Sequence, residues 1–362
     1  MRVAVLANLK VNAPTWPGMS PDQWDDLDTH KSVGAIVDAL KTGGHEAEFF
    51  EAQIVPPFSL IEKLAVYRPD ICFNIAESHF GDGREAQIPA VLEMLRIPYT
   101  GSQVLTQALG LDKPMTKRIL AYHGLPTPEF QVFERADLPV DEDLIYPDGT
   151  LRFPLFVKPS REGTSMGVSI DSIVETEAEL REQLAAQLAR YDQPILVERY
   201  VEGREVTVGM VGNLAPTAAR HLPSAEVGEP LPESIHFFPV LEMDTRLTAD
   251  TEGDVYTSRV KKDLSDLYRY HCPANLPEAK AHHLRWLAAA VFRVTGSRDV
   301  ARVDFRLDAN SGEEPHILEI NTLPGLTPGF SDLCLQAEVD GWSYERLVNT
   351  ILETAARRWG IL

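Results

Sequence analysis

The hydrophobic pattern changes period along the chain, and each change marks an element. Val3, Ala4, Val5 and Leu6 form a continuous apolar run of the kind that a strand buried on both faces requires. A helical period follows over about 30–41 and stops at Gly43-Gly44, and further apolar strands are expected at 47–50 and 71–75. Strand alternating with helix predicts a parallel α/β unit over residues 1–101. Its first strand and first helix are separated by the segment 10–28, which carries Pro14, Trp16, Pro17, Gly18 and Pro21. A connection of that length is usually functional or mobile.

A second unit, 102–202, is expected to hold a helix at 113–123 ended by Gly124 and Pro126, a strand at 153–158, a polar glycine-bearing loop, a helix at 177–190 and a strand at 194–198. A third, 203–362, opens with a strand at 205–211 and passes through a Pro-rich, weakly periodic stretch at 221–273 that can fold over a site. Helices at 278–295 and 344–358 complete it, with a hairpin after the first of them. The fold class is thus α/β, with α+β character in part.

Period-2 alternation puts Arg302, Asp304 and Arg306 on one side of the first hairpin strand. On the second, Ile317, Glu319 and Asn321 face one way and Leu318 and Ile320 the other. A turn at Asn310-Ser311-Gly312 then brings Asp304, Glu319 and Asn321 together. Hard oxygen donors at that density suit magnesium, or manganese, which completes its shell with water and phosphate oxygens. Taken alone, the pattern equally describes solvent-facing carboxylates on an amphipathic hairpin.

Composition narrows the function classes. The chain has 362 residues, 44% of them hydrophobic, so core size is not limiting for a soluble globular protein. A formal charge of -20 argues against general nucleic-acid binding while leaving room for a local basic pocket. Cys72, Cys272 and Cys334 are too scattered for a disulfide framework or a Cys-based zinc site, which suggests a reducing, cytoplasmic compartment. No apolar segment is long enough to span a bilayer, and residues 1–7 read as a strand rather than a signal sequence.

Lys158 ends an apolar strand and precedes Pro159-Ser160-Arg161-Glu162-Gly163-Thr164-Ser165-Met166-Gly167. A lysine there can reach phosphates while the loop closes over them with backbone N–H groups, though a surface hairpin with a solvated lysine fits the same residues. No GxxxxGK[ST] run exists. Gly81-Asp82-Gly83-Arg84-Glu85-Ala86 matches a loose dinucleotide fingerprint, but it is charged and stands off from the third strand, so a substrate-facing loop is the better reading. Glu198-Arg199-Tyr200-Val201 sits where a hinge could offer its backbone to a purine edge, with Glu205 placed for ribose hydroxyls; ordinary turn acids are the alternative. His282-His283 and His271 are not at metal-ligand spacing and read as structural.

In order along the chain, these segments resemble the ATP-grasp superfamily and, within it, the D-alanine–D-alanine ligases. The resemblance runs from about residue 70 to near the end. It rests on Phe73-Asn74-Ile75-Ala76-Glu77, Arg84-Glu85-Ala86-Gln87-Ile88-Pro89, Ile97-Pro98-Tyr99-Thr100-Gly101-Ser102, Leu111-Asp112-Lys113 and Val157-Lys158-Pro159-Ser160-Arg161-Glu162-Gly163. Cys272-Pro273-Ala274, Arg302-Val303-Asp304 and Glu319-Ile320-Asn321-Thr322 with Pro324-Gly325 continue it.

The resemblance implies ATP held between the central and C-terminal units. By position, Lys113, Lys158 and Lys262 look like lysines of the nucleotide phosphates. Glu198, Tyr200 and Val201 look like the adenine hinge, Glu205 like the ribose acid, and Asp304, Glu319 and Asn321 like the metal ligands. Arg302 and the Gly325 backbone match the groups that steady an oxyanion, and Thr164 and Ser165 stand at the loop serine. The implied reaction phosphorylates a substrate carboxylate and lets an amine attack the acyl phosphate. Water must be kept out, which gives the loop at 160–167 and the cover at 255–270 a role.

The departures concern the amino-acid pockets. Asp25-Asp26-Leu27-Asp28 replaces the glycine-rich stretch that carries the ammonium-binding acid, and Asp28 is the candidate substitute. Glu77 stands for a histidine, Asp263 for a tyrosine, and Phe330, with Ser331 beside it, for the serine that meets the second substrate. Substrates are therefore expected to be a small amino acid or carboxylate and an amine, with D-alanine itself left open. A non-catalytic ATP-binding regulator is the rival from another class. Relatives of this kind are commonly dimers, so a homodimer is what the resemblance suggests.

Overall fold

The computed structural model describes residues 1–53, 59–214, 230–244 and 269–362. Lys262, Asp263 and the expected cover at 255–270, apart from its last two residues, lie outside the described residues. The first elements are β1 (Arg2–Ala7), α1 (His30–Thr42), β2 (Glu46–Glu51), α2 (Leu60–Tyr67) and β3 (Ile71–Asn74). The strands form a parallel sheet of order β2-β1-β3. Val3 to Ala7 are fully buried because β1 is central, which is why its sequence lacks alternation. Thr29 caps α1 through a capping box with Ser32, and Val33, Ile36, Ala39 and Leu40 make its inward stripe.

Next come α3 (Gln87–Leu95), α4 (Val104–Leu111), α5 (Lys113–Tyr122), β4 (Phe130–Phe133), β5 (Leu155–Pro159), β6 (Ile173–Val174), α6 (Glu177–Tyr191) and β7 (Ile195–Arg199). Here the sheet is antiparallel, in the order β4-β7-β5-β6. The last part holds β8 (Gly203–Gly212), β9 (Ile235–Phe237), β10 (Leu241–Asp244), β11 (Arg269–His271), α7 (Glu278–Thr295), β12 (Val300–Asp308), β13 (Glu314–Asn321), α8 (Asp332–Val339) and α9 (Tyr344–Arg358). Its sheet runs β11-β10-β8-β12-β13, with β9 added to β8.

Cores and sequence segments do not coincide. One cluster joins Val5, Ile36 and Phe73 to Leu347, Ile351 and Ala355, so the C-terminal α9 completes the core of the N-terminal sheet. The Asp299 carboxylate fastens this arrangement: it accepts from the Arg358 guanidinium at 2.7 Å and from the Gly101 amide at 2.9 Å. A second cluster packs Leu120 and Leu125 against Val206, Leu287 and Phe305.

Candidate active site

One strand pair departs from the simple alternation expected of it. Asp304 pairs with Glu319 and Arg302 with Asn321, but Phe305 pairs with Ile317, which leaves Leu318 as an extra residue in β13. A bulge reverses which face later residues occupy. Ile317, expected beside Glu319, is instead buried with Val303, Phe305 and Ile320. Leu318 lines the cleft with Glu319. The acids themselves fall where the pattern placed them.

Asp304 is tightly held. Arg302 donates to its Oδ1 and Oδ2 at 2.9 Å each, Thr207 donates to Oδ1 at 2.6 Å, and the Asn321 amide donates to Oδ2 at 2.8 Å. Arg302 also pairs with Asp332 at 2.9 Å. Burial opposes its charge, but Asp304 and Asp332 hold the guanidinium firmly protonated, well above the ordinary range. In this state it organises the two acids. Glu319, more open, pairs with Lys113 Nζ at 3.1 Å, and that ammonium also donates to the Glu162 carbonyl at 2.5 Å.

Lys158 and Glu198, expected at phosphate and adenine, meet each other. Lys158 Nζ donates to Glu198 Oε1 at 2.5 Å, and a lysine that sequence reasoning passed over, Lys117, lies 2.8 Å from Glu198 Oε2. Lys117 is fully buried and donates to Thr127 Oγ1 at 2.7 Å. Burial opposes the Glu198 charge, yet the two ammonium groups overcome it and hold the carboxyl down to about 2. For Lys117 burial wins, pulling it down to about 8. For Lys158, burial is outweighed by Glu198 and Glu319, and its ordinary value is raised. The only signal for Lys117 was a lysine on the apolar side of α5.

Glu205 is shifted upward by burial and pairs with Arg306 at 3.2 Å. It lines the same cleft as Lys113, Lys158, Tyr200, Val201, Asp304 and Glu319, which the fold thus gathers from α5, both antiparallel sheets and the hinge. Thr164 and Ser165 adopt φ of 50° and 57°, the left-handed region that non-glycine residues seldom occupy. Such conformations cluster in functional loops.

A larger cavity of about 440 Å³ continues from the cleft toward the N-terminal sheet. Thr164, Gly325, Phe330 and Ser331 line it, as do Asp28 and Glu77. A Cβ on Gly325 would come 2.9 Å from Ser331 Oγ, so a larger residue here would turn that hydroxyl away from the cavity backbone. Ser331 Oγ accepts from the Thr327 amide at 3.0 Å, and Phe330 is 45% exposed. Asp26 and Glu85, which the motif reading did not single out, also face this space. The long segment 10–28 forms one wall: its Asp22 accepts from Arg190 at 2.8 Å and from the Gly167 amide at 3.2 Å, and Asp26 pairs with Arg84 at 2.8 Å.

For a divalent cation, the donor set fits. Asp304, Glu319 and Asn321 offer hard oxygens in the cleft that Lys113 and Lys158 also line, with Lys113 beside Glu319. Two carboxylates and an amide suit an ion that draws the rest of its shell from phosphate and water rather than a protein-only cage, and no group of three or more His, Cys, Asp or Glu at metal spacing occurs among the described residues.

Comparison with known proteins agrees with this geometry. The family described as the D-ala D-ala ligase C-terminus matches residues 119–227 and 240–353. An uncharacterised protein, y4sG, of Sinorhizobium fredii is 32% identical over 99% of this chain and 98% of its own. A D-alanine–D-alanine ligase of Paracidovorax citrulli is 33% identical over 90% of this chain and 85% of its own. The crystal structure of a Bacillus anthracis D-alanine–D-alanine ligase complexed with ATP superposes with a TM-score of 0.69 at 21% identity, covering 100% of this chain and 99% of that one, a likeness of fold. No helix among the described residues is long and apolar enough to cross a membrane. With a family match across most of its length and relatives of this identity on both sides of the cleft, the chain belongs to the D-alanine–D-alanine ligase family of ATP-grasp enzymes, ligases that join carbon to nitrogen.

Proposed function

We propose that the chain couples ATP hydrolysis to formation of a dipeptide or related amide, by way of an acyl phosphate, with ATP seated between the sheet of β4 to β7 and the sheet of β8 to β13. The observation that carries this is the convergence of Lys113 and Lys158 on the bulged ribbon of Asp304 and Glu319 within one cleft. Lys113 and Lys158 offset phosphate charge, the 199–201 backbone meets the adenine, and Glu205 takes the ribose hydroxyls. Arg302, with the Gly325 backbone, stabilises the oxyanion of the tetrahedral adduct. Losing one such donor typically costs about 3 kcal/mol. Asp304, Glu319 and Asn321 are the residues that would hold magnesium, which supplies charge neutralisation at the transferring phosphoryl group. Thr164 and Ser165 close the loop over the reacting atoms and Ser331 greets the second carboxylate. The three-unit division at 1–101, 102–202 and 203–362, the cytoplasm and a homodimer are part of the same reading.

Purified protein incubated with ATP, magnesium and an amino-acid panel should release ADP and phosphate only when the correct acceptor is present. No amine-dependent release with any member would refute the ligase reading, and phosphate found on the substrate would make the chain a kinase. D-alanine at both positions is a second reading, favoured by the relatives' activity; D-alanine alone must then sustain turnover.

A further inference from the structure

Among the described residues, the end of the large cavity nearest the N-terminal sheet carries more acids than cations. Asp26, Asp28, Glu77, Glu85 and Glu162 line it. Arg84 serves two of them, with Nη2 at 2.8 Å from Asp26 and 3.5 Å from Glu162. The other nearby cations are committed elsewhere: Lys10 pairs with Asp25 at 2.6 Å and Lys113 with Glu319 at 3.1 Å. Among the described residues, the Asp28 carboxylate accepts from the Ser32 hydroxyl alone, at 2.8 Å.

A separate observation points to a ligand. The Asp26 side chain is 6% exposed, its Oδ2 is taken by Arg84, and its Oδ1 is buried with no hydrogen-bond partner among the described residues. Buried carboxylate oxygens are ordinarily satisfied. Glu77 and Glu85 lean on each other instead: their side chains hydrogen-bond, while burial, then mutual repulsion and the charge of Asp26, raise the Glu77 carboxyl well above its ordinary value, and Glu85 is raised in the same sense, chiefly by burial. An α-ammonium at Asp28 leaves the Asp26 oxygen unpaired and this acid pair without a cation of its own.

We propose that the amino acid seated at this end carries a second cationic nitrogen on its side chain, as a diamino or guanidino acid, with one cation meeting Asp28 and the other Asp26 and Glu77. This rests on the ligase reading above and specifies its substrate class. A cavity of about 440 Å³ has room for such a molecule. A neutral analogue of equal size leaves buried carboxylates without partners, and sites of that kind discriminate strongly against ligands lacking the matching group.

The test pairs near-isosteres. With ATP and magnesium, ADP release is measured for both enantiomers of ornithine against norleucine, and of 2,4-diaminobutyrate against norvaline, with arginine and alanine added and an excess of each candidate partner. The cationic member should exceed its neutral partner by about 100-fold in kcat/KM. Glu77→Gln and Asp26→Asn should each shrink that ratio by about 10-fold or more, with Glu77→Gln, which leaves the Arg84 ion pair intact, serving if Asp26→Asn does not fold. Turnover of neutral amino acids at equal or higher kcat/KM, with the enzyme active, overturns the proposal and leaves the ligase reading standing. No release with any acid sinks both.

Discussion

Glu198→Gln tests whether the buried Lys117–Glu198–Lys158 cluster is a structural keystone as well as a wall of the cleft. Glu198 is 3% exposed, Lys117 fully buried and Lys158 7% exposed, so the substitution strands two ammonium groups away from water. The carboxyl moves from 4.5 to about 2 on folding. At about 1.4 kcal/mol per unit this is a net contribution of about 3 kcal/mol. That agrees with the ~3–5 kcal/mol lost when one partner of a buried ion pair is removed. Because the folded value is depressed, the contribution is complete above the unfolded value of 4.5 and fades as pH falls toward 2. Urea unfolding of both proteins at pH 7.5 should therefore give a loss of about 3 kcal/mol, and at pH 5.5 a loss at least as large, because Lys117, already pulled down to about 8, falls further without Glu198 and resists protonation in the fold; a Lys117→Met, Glu198→Gln double-mutant cycle should show strong coupling. A loss below about 1 kcal/mol at pH 7.5, or additive single effects, would refute the idea that these charges stabilise one another.

Glu319→Gln should reduce turnover by about 1000-fold or more while shifting the urea-derived stability by less than about 1 kcal/mol, since its pair with Lys113 is partly exposed; unchanged kcat would remove Glu319 from the metal assignment. Asp28 behaves oppositely to Glu198. Burial first, with the Asp26 charge adding to it, raises its carboxyl from 3.8 to about 6, so ionising it weakens the ligand-free fold as pH rises through that window. Asp28→Asn should accordingly gain up to about 3 kcal/mol over wild type at pH 8, and the gain should vanish near pH 4, as followed by urea unfolding at both pH values. Gly203→Ala should cost about 3 kcal/mol or more by the same measurement, because φ is 138° and a Cβ would sit 1.9 Å from the Leu307 carbonyl oxygen.

The local pattern determined much of this protein. Periodicity alone placed α7 and α9 at their observed bounds and β1, β2, β3, β5, β7 and β8 within a few residues, because an apolar stripe of period 3.6 or a fully apolar strand has few other ways to bury itself, whereas the short strands β4, β6, β9, β10 and β11 gave no such signal. The acids proposed as metal ligands were legible for the same reason: Asp304 and Glu319 lie on strongly patterned strands. Tertiary structure decided the rest. The bulge at Leu318 moved Ile317 to the core, which no alternation rule foresees because register belongs to the pair of strands and not to either one. Lys117, on the apolar side of α5, had no visible partner until the fold set Glu198 beside it. Likewise Asp26 comes from the first long connection and Glu77 and Glu85 from the one between β3 and α3, and they crowd around the single cation Arg84 only once those segments close on one cavity. A side chain's period is set by its neighbours in sequence, whereas its charge environment is set by neighbours in space.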